Sequence, residues 1–165
     1  MNPRPAWLPE ITETVKQTWR PARADFSAGG VVYRRDADGV LELALIATHG
    51  TARWQLPKGS REVGETALQT ALREVEEEVG LQTVNEAYLQ QIDYWYWDTY
   101  RKEPAELVHK HVDFFLLRAM SGELSDASYE VDAVGWFTPA QALAQLTFGS
   151  ERSVVERALH ELDNG

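Results

Sequence analysis

The sequence contains no cysteine, which excludes disulfides and thiolate metal sites. Basic residues are also scarce, since 16 Lys and Arg stand against 26 Asp and Glu and give a formal net charge of −10. This charge balance argues against a protein that binds nucleic acid through its phosphates. No segment approaches the roughly 20 apolar residues of a membrane-spanning helix, and the N-terminus lacks the apolar core of a signal peptide. We therefore expect a cytoplasmic protein with no membrane or nucleic-acid partner.

The chain does have enough apolar residues for a proper core. Its 165 residues are 44% hydrophobic and 10% aromatic, which is typical of one domain. Residues 1–24 hold four prolines and a short helical pattern at 11–19, so we interpret them as an N-terminal extension. The extension would pack on a single domain at 25–165 or help a dimer form. The sequence leaves both a monomer and a homodimer open.

Residues 59–81 combine a glycine loop with a predicted helix. Thr66 and Gln69 have the spacing of a capping box, and Gly80 suits the left-handed residue that ends a helix. Apolar residues between these caps recur at helical spacing and predict a face that packs on a core. They are Leu68, Leu72, Val75 and Val79.

Three carboxylates lie on another side of this predicted helix. At roughly 100° per residue, Glu74, Glu77 and Glu78 fall within an arc of about 100°. Converging carboxylates raise one another's pKa unless a cation lies between them, and oxygen donors suit a hard divalent ion. The alternative is a solvated acidic face of the helix.

The spacing of the whole stretch separates these alternatives. Gly59 is followed after five residues by Glu65, and after seven more by Arg73-Glu74-Val75; Glu77-Glu78 and Gly80-Leu81 complete the pattern. This arrangement resembles the signature of the Nudix hydrolase family, over 23 of the 165 residues. The resemblance implies hydrolysis of a nucleoside diphosphate linked to another moiety, with Mg²⁺, or Mn²⁺ in its place, as cofactor. It does not imply one substrate.

The other predicted elements surround this stretch. Strands are predicted at 26–35, 41–48, 83–97, 107–118 and 134–137, and helices at 139–146 and 150–162. This order suits an α/β (α+β) fold with a mixed sheet covered by helices on both faces. The α/β/α sandwich implied by the Nudix resemblance has the same architecture.

Catalysis and metal binding are predicted for the three helix carboxylates. Glu77 and Glu78 would bind the metal, and Glu74 would be a third ligand or the general base. The resemblance adds that a backbone carbonyl at Lys58 or Gly59 often completes the coordination. A water on the metal would attack phosphorus.

Other residues of the signature are predicted to be structural. Glu65 and Arg73 would form a carboxylate–guanidinium pair that fixes the loop against the helix. Family members often add a further acid outside the signature. Glu130 is the best match for it, Glu123 is the second choice, and an ordinary loop acid is the alternative.

Substrate contacts are predicted from cations and aromatics outside the helix. Lys58 lies in Leu-Pro-Lys-Gly, a tetrapeptide that recurs in family members acting on diadenosine polyphosphates and inositol pyrophosphates. Distal phosphates would meet basic residues, and an adenine would stack on tyrosines, although packing of these aromatics is an equal alternative. The predicted phosphate contacts are Arg53, Lys58, Lys110 and His111, and the predicted base contacts are Tyr94 and Tyr96, with Tyr100 nearby.

Three functions remain open at this stage. The leading one is Mg²⁺-dependent hydrolysis of a small-molecule nucleoside polyphosphate, with diadenosine polyphosphates as the main class. The second is hydrolysis of oxidised nucleoside triphosphates or of inositol pyrophosphates. The third is a ligand sensor without catalysis, which we would expect to carry a degraded signature. A zinc site at His109 and His111 is disfavoured, because no further His or Cys lies near them in the sequence.

Overall fold

The computed structural model describes residues 4–128 and 130–164; residues 1–3 of the predicted extension and residue 165 lie outside this part. In this described part, seven strands and four helices form an α+β fold with a mixed sheet, which confirms the predicted class. The elements are α1 (Glu13–Thr18), β1 (Ala22–Arg35), β2 (Leu41–Thr48), β3 (Arg53–Gln55), β4 (Lys58–Ser60), α2 (Ala67–Val79), β5 (Gln82–Asp98), β6 (Glu106–Ser121), β7 (Ala133–Phe137), α3 (Pro139–Gln145) and α4 (Gly149–Asn164).

The sheet has the strand order β3-β2-β1-β6-β5, with β4 paired to β1 and β7 paired to β2. Both faces of β2 are buried, because Leu43 and Leu45 on one face and Ala44 and Ile46 on the other are nearly inaccessible. α2 packs on one of these faces, against a cluster from β1, β2 and β6. α3 contacts β2 and β7, and α4 contacts α3.

The chain divides into two compact units, and each is described by itself. The first contains the described residues up to Phe26 together with Asp93–His111. Within it, the indole of Trp19 donates to the carbonyl of Ala105 at 2.9 Å and packs edge-on against Trp97. The second unit, Ser27–Ile92 with residues from Val112 onward, contains the whole signature stretch. The predicted boundary between residues 24 and 25 stays a prediction.

Two short strands differ from the sequence-based expectation. The sequence predicts no strand between residues 48 and 83, but β3 and β4 are three-residue strands on either side of Leu56 and Pro57. β4 pairs with β1, with Gly59 opposite Ala28. Three residues are too few to show an alternating pattern, so this pairing has no sequence signal. β1 also begins four residues before the predicted strand.

Among residues 4–128 and 130–164, none of the helices combines the length and hydropathy that crossing a bilayer requires.

Candidate active site

α2 is fixed at both ends by its own sequence. Thr66 Oγ1 accepts the Gln69 N–H at 3.1 Å, and Gln69 Oε1 accepts the Thr66 N–H at 2.8 Å, which confirms the predicted capping box. Gly80 ends the helix with φ of 79° in the left-handed region, as predicted. Val75 and Val79 are fully buried in the core. The caps and the apolar face together fix the rotation of α2, and so decide which way its glutamates face.

This rotation buries two of the three glutamates. Glu74 and Glu78 are 8% and 6% exposed, whereas Glu77 is exposed. Burial raises the pKa of Glu78 to about 8, although the hydrogen bond from the Lys58 N–H lowers it in part. Burial also raises the pKa of Glu74, although its bond to Arg73 opposes the shift. Each of the two buried carboxylates is therefore costly to ionise without an added cation.

The backbone of β4 lies directly against these two acids. The Lys58 N–H donates to Glu78 Oε2 at 3.1 Å. A Cβ built on Gly59 would lie 2.0 Å from the carboxyl carbon of Glu74, so any side chain at this position would displace the Glu74 carboxylate. On the opposite side of the segment, a Cβ on Gly29 would lie 2.1 Å from the carbonyl oxygen of Pro57. Glycines thus allow strand, loop and helix to approach one another where the carboxylates lie.

Arg73 connects the glycine loop to the helix. Its guanidinium donates to both oxygens of Glu65, at 2.7 and 2.9 Å, and to the carbonyl of Ser60 at 2.9 Å. It also donates to Glu74 at 2.8 Å and to Glu77 at 3.2 Å. The bond to Arg73 is the main reason why the pKa of Glu65 falls to about 2. Arg73 therefore orients one buried acid while it holds the loop that precedes α2.

We expect Arg73→Ala to lower the free energy of unfolding by about 1–3 kcal/mol, because it leaves several acceptors without their donor. Arg157→Ala is the matched control, since the ion pair of Arg157 with Glu161 is long, at 3.8 Å, and exposed. Chemical denaturation at neutral pH measures both. A midpoint for Arg73→Ala equal to that of Arg157→Ala would contradict the structural role.

A cation at this site would meet oxygen donors only. Within the described ranges, 4–128 and 130–164, no three His, Cys, Asp or Glu side chains already converge as a metal site. The donor chemistry nevertheless fits a hard divalent cation. Two buried carboxylates with raised pKa values would be stabilised in their ionised form by such an ion. Glu74 and Glu78 are the residues best placed to hold it.

The two candidate acids outside the signature lie in different settings. Glu130 is exposed, and its charge contributes to the raised pKa of both Glu74 and Glu78, so it lies within electrostatic reach of them. Glu123 is also exposed, and its backbone carbonyl lies beside Gly80 at the end of α2. A role for Glu130 as a metal ligand stays a prediction.

The Lys58 side chain already has two partners. Its Nζ donates to Gln55 Oε1 at 2.7 Å and to Glu151 Oε2 at 2.9 Å. Glu151 is 2% exposed, and its other oxygen accepts the Leu56 N–H at 2.9 Å. Sequence reasoning missed Glu151, because an acid in the first turn of a helix such as α4 is a common feature. The phosphate contact predicted for Lys58 would require these bonds to break.

The remaining predicted substrate residues fall in both units. Arg53 is in the second unit, on β3, where its guanidinium lies 3.3 Å from His49 Nε2. In the first unit, Tyr94 and Tyr96 have ring centroids 6.1 Å apart. Burial raises the pKa of Tyr96.

The histidines of β6 lie in a run of stacked rings in the first unit. His111 stacks on Phe26 at 5.1 Å and lies 4.1 Å from His109, which stacks on Trp95 at 4.0 Å. Lys110, between the two histidines, is partly buried. Contact of Lys110 or His111 with a substrate stays a prediction. The same holds for Arg53, Tyr94 and Tyr96.

Comparison with known proteins identifies the family. The sequence model of the NUDIX domain matches residues 25–158, which is most of the chain. The chain belongs to the Nudix family. Nudix hydrolases generally use divalent metals, which agrees with the oxygen donors on α2.

Two curated relatives illustrate the similarity. A Mycobacterium tuberculosis protein, provisionally named mutator protein MutT4, is 39% identical over 142 residues, covering 83% of this chain and 55% of the relative. The asymmetrical bis(5'-nucleosyl)-tetraphosphatase of Sus scrofa is 35% identical over 82 residues, covering 44% of this chain and 56% of the relative. The chain thus spans about half the length of these relatives.

Solved structures share the fold. An Ap4A hydrolase from C. elegans, in a binary complex, aligns with a TM-score of 0.70 at 22% identity, over 86% of this chain and 99% of that chain. The NUDIX domain of Shewanella oneidensis NrtR, complexed with ADP ribose, aligns with a TM-score of 0.66 at 17% identity, over 92% and 99% of the two chains.

Proposed function

We propose that this Nudix protein is a Mg²⁺-dependent hydrolase of phosphoanhydride bonds in nucleoside diphosphate-linked compounds, chiefly diadenosine polyphosphates. The observation that carries the proposal is the pair of buried carboxylates, Glu74 and Glu78, with the backbone of Lys58 and Gly59 against them. An intact signature on this geometry supports catalysis rather than sensing alone. The proposal also places the protein in the cytoplasm, as a monomer or homodimer acting on a small molecule.

The metal site would use residues from α2, from β4 and from the connection before β7. Glu74, Glu77 and Glu78 of α2, a backbone carbonyl at Lys58 or Gly59, and Glu130 would hold Mg²⁺. When bound, Mg²⁺ neutralises charge on the phosphates and makes a coordinated water more acidic.

The chain's own residues then orient the reaction. Arg73 holds the Glu74 carboxylate at 2.8 Å, and the Lys58 N–H holds Glu78. The raised pKa of Glu74 suits a group that accepts a proton from the attacking water, which makes Glu74 the candidate general base if it is not a third ligand. Attack forms a new P–O bond and breaks the anhydride bond, and the leaving phosphate takes the electron pair.

Substrate selection would depend on residues outside α2. Arg53, Lys110 and His111 are the proposed contacts for distal phosphates, and Tyr94 and Tyr96 the proposed surface for adenine. The names of the relatives support a dinucleotide substrate, since one is a bis(5'-nucleosyl)-tetraphosphatase.

A second candidate is cleavage of oxidised nucleoside triphosphates, which is favoured by the 39% identity to a protein named as a mutator protein. An inositol pyrophosphate is less favoured, because 16 basic residues against 26 acidic ones provide few cations for so dense a charge. A ligand sensor is the third candidate, and a structural relative that binds ADP ribose illustrates it.

A substrate panel with Mg²⁺ tests these candidates. We expect the highest kcat/KM for diadenosine tetra- to hexaphosphate, with ATP among the products, because both the polyphosphate chain and the base would find partners. Chromatography of the products identifies the phosphorus attacked, and chelation of the metal is the control. The highest kcat/KM for an oxidised deoxynucleoside triphosphate would overturn the substrate class, and no hydrolysis of any compound would overturn the enzyme assignment.

A further inference from the structure

Glu151 is a buried carboxylate that lies outside the signature and outside every role described above. It is 2% exposed, on the first turn of α4. Both of its oxygens are bonded to the segment immediately before Gly59, one to the Leu56 N–H and one to Lys58 Nζ, each at 2.9 Å. A buried acid is retained only where its partners compensate for the lost hydration. α4 is therefore fixed to this short segment by a charged, fully engaged side chain.

The same segment contacts the helix carboxylates on its other side. The Lys58 N–H donates to Glu78 Oε2 at 3.1 Å, and Gly59 lies against the carboxyl group of Glu74. Lys58 thus bonds one glutamate through its side chain and another through its backbone. A displacement of Lys58 from Glu151 would also move the N–H that orients Glu78.

We propose that Glu151 is a positioning residue, whose ion pair with Lys58 sets the backbone of Lys58 and Gly59 against Glu74 and Glu78. The lysine of the Leu-Pro-Lys-Gly segment then acts through this pair and not at a distal phosphate. The inference rests on the proposed function only in taking Glu74 and Glu78 as metal ligands.

The positioning role of Glu151 can be tested by measuring metal binding in three variants and a control. Glu151→Gln and Lys58→Met each remove one charge at nearly constant size, and the double variant removes both. Glu156→Gln, an exposed change on the same helix, is the control. Calorimetric titration of the metal-free proteins with Mn²⁺, well below their unfolding temperatures, measures the affinity. Circular dichroism verifies that each variant is folded.

We expect each single variant to bind Mn²⁺ about tenfold more weakly than wild type, as residues that orient metal ligands do, and the control to be unchanged. The double variant should be no weaker than the weaker single variant, because both changes break one interaction. Wild-type affinity for Mn²⁺ in both single variants would overturn the proposal, and the ion pair between Lys58 and Glu151 would then contribute to stability alone. Losses of Mn²⁺ affinity that add up in the double variant would also overturn it, because they would show that Lys58 and Glu151 act independently.

The double variant keeps the test decisive if the single variants fail to fold, because it leaves no uncompensated buried charge. Wild-type Mn²⁺ affinity in that variant would overturn the proposal, and weakened affinity supports it. These readouts need no substrate, so they stand even if the hydrolase assignment fails.

Where hydrolysis is observed, substrate length gives a second criterion. Positioning predicts that Glu151→Gln and Lys58→Met lower kcat by similar factors on long and short substrates. A rise in KM confined to long polyphosphates, and seen only in Lys58→Met, would instead place the ammonium at a phosphate and overturn the proposal.

Discussion

Glu78→Gln is expected to lower kcat by at least about 100-fold while making the metal-free protein more stable at alkaline pH. The loss of rate is of the size seen when a group that acts on the reacting atoms is removed, since glutamine keeps the shape but not the charge. The gain in stability follows from burial, which makes ionisation of Glu78 unfavourable in the fold.

The pH range of this stability effect follows from the pKa of Glu78, which is about 8 in the folded protein and ordinarily 4.5. Between these values the folded state holds one more proton than the unfolded state, so the free energy of unfolding falls as pH rises. Glu78→Gln removes this slope. We expect it to stabilise the metal-free protein by about 1–3 kcal/mol at pH 8 and by little near pH 4.

Thermal unfolding in chelator, from pH 4 to 9, measures this effect. Glu76→Gln is the control, because Glu76 is exposed on the same helix. Removal of metal from wild type should cost more stability at pH 8 than at pH 6, since a metal ligand must be deprotonated. Parallel pH profiles for wild type and Glu78→Gln would contradict the burial argument, and unimpaired turnover would remove Glu78 from the site.

The sequence predicted α2 well because its signals are local. Thr66, Gln69 and Gly80 act within one turn of the helix ends, and the apolar stripe repeats at the helical period. These features determine the rotation of the helix, and the rotation determines that Glu74 and Glu78 are buried. Spacing alone grouped Glu77 with them, and only the packing of α2 shows that its side chain is exposed.

The two main features that the sequence did not predict, Glu151 and β4, are both non-local. Glu151 reaches its partners across more than 90 positions of the chain, at Leu56 and Lys58. β4 pairs with β1 through three residues, too few for a pattern. A buried ion pair also has no signature in composition, since each member is by itself a typical surface residue.

Gly59→Ala is expected to reduce kcat by about 100-fold at a much smaller cost in stability. The new Cβ would lie 2.0 Å from the carboxyl carbon of Glu74, so the carboxylate must move. The Glu74 carboxylate lies at the end of a flexible side chain and can rotate away from the new Cβ. The unfavourable rotamer would cost about 1 kcal/mol of stability. A displacement of about 1 Å at a reacting group is enough for the expected loss of rate.

A matched glycine and a double variant isolate the cause. Gly149→Ala is the control, because its Cβ would meet only Arg152 at an ordinary 3.5 Å, and it should keep wild-type rate and stability. If the clash with Glu74 is the cause, Gly59→Ala should add nothing to the loss of rate in Glu74→Ala, and the double variant should regain the stability that Gly59→Ala loses. Wild-type kcat in Gly59→Ala, or a further loss of rate in the double variant, would show that the contact between Gly59 and Glu74 does not position the site.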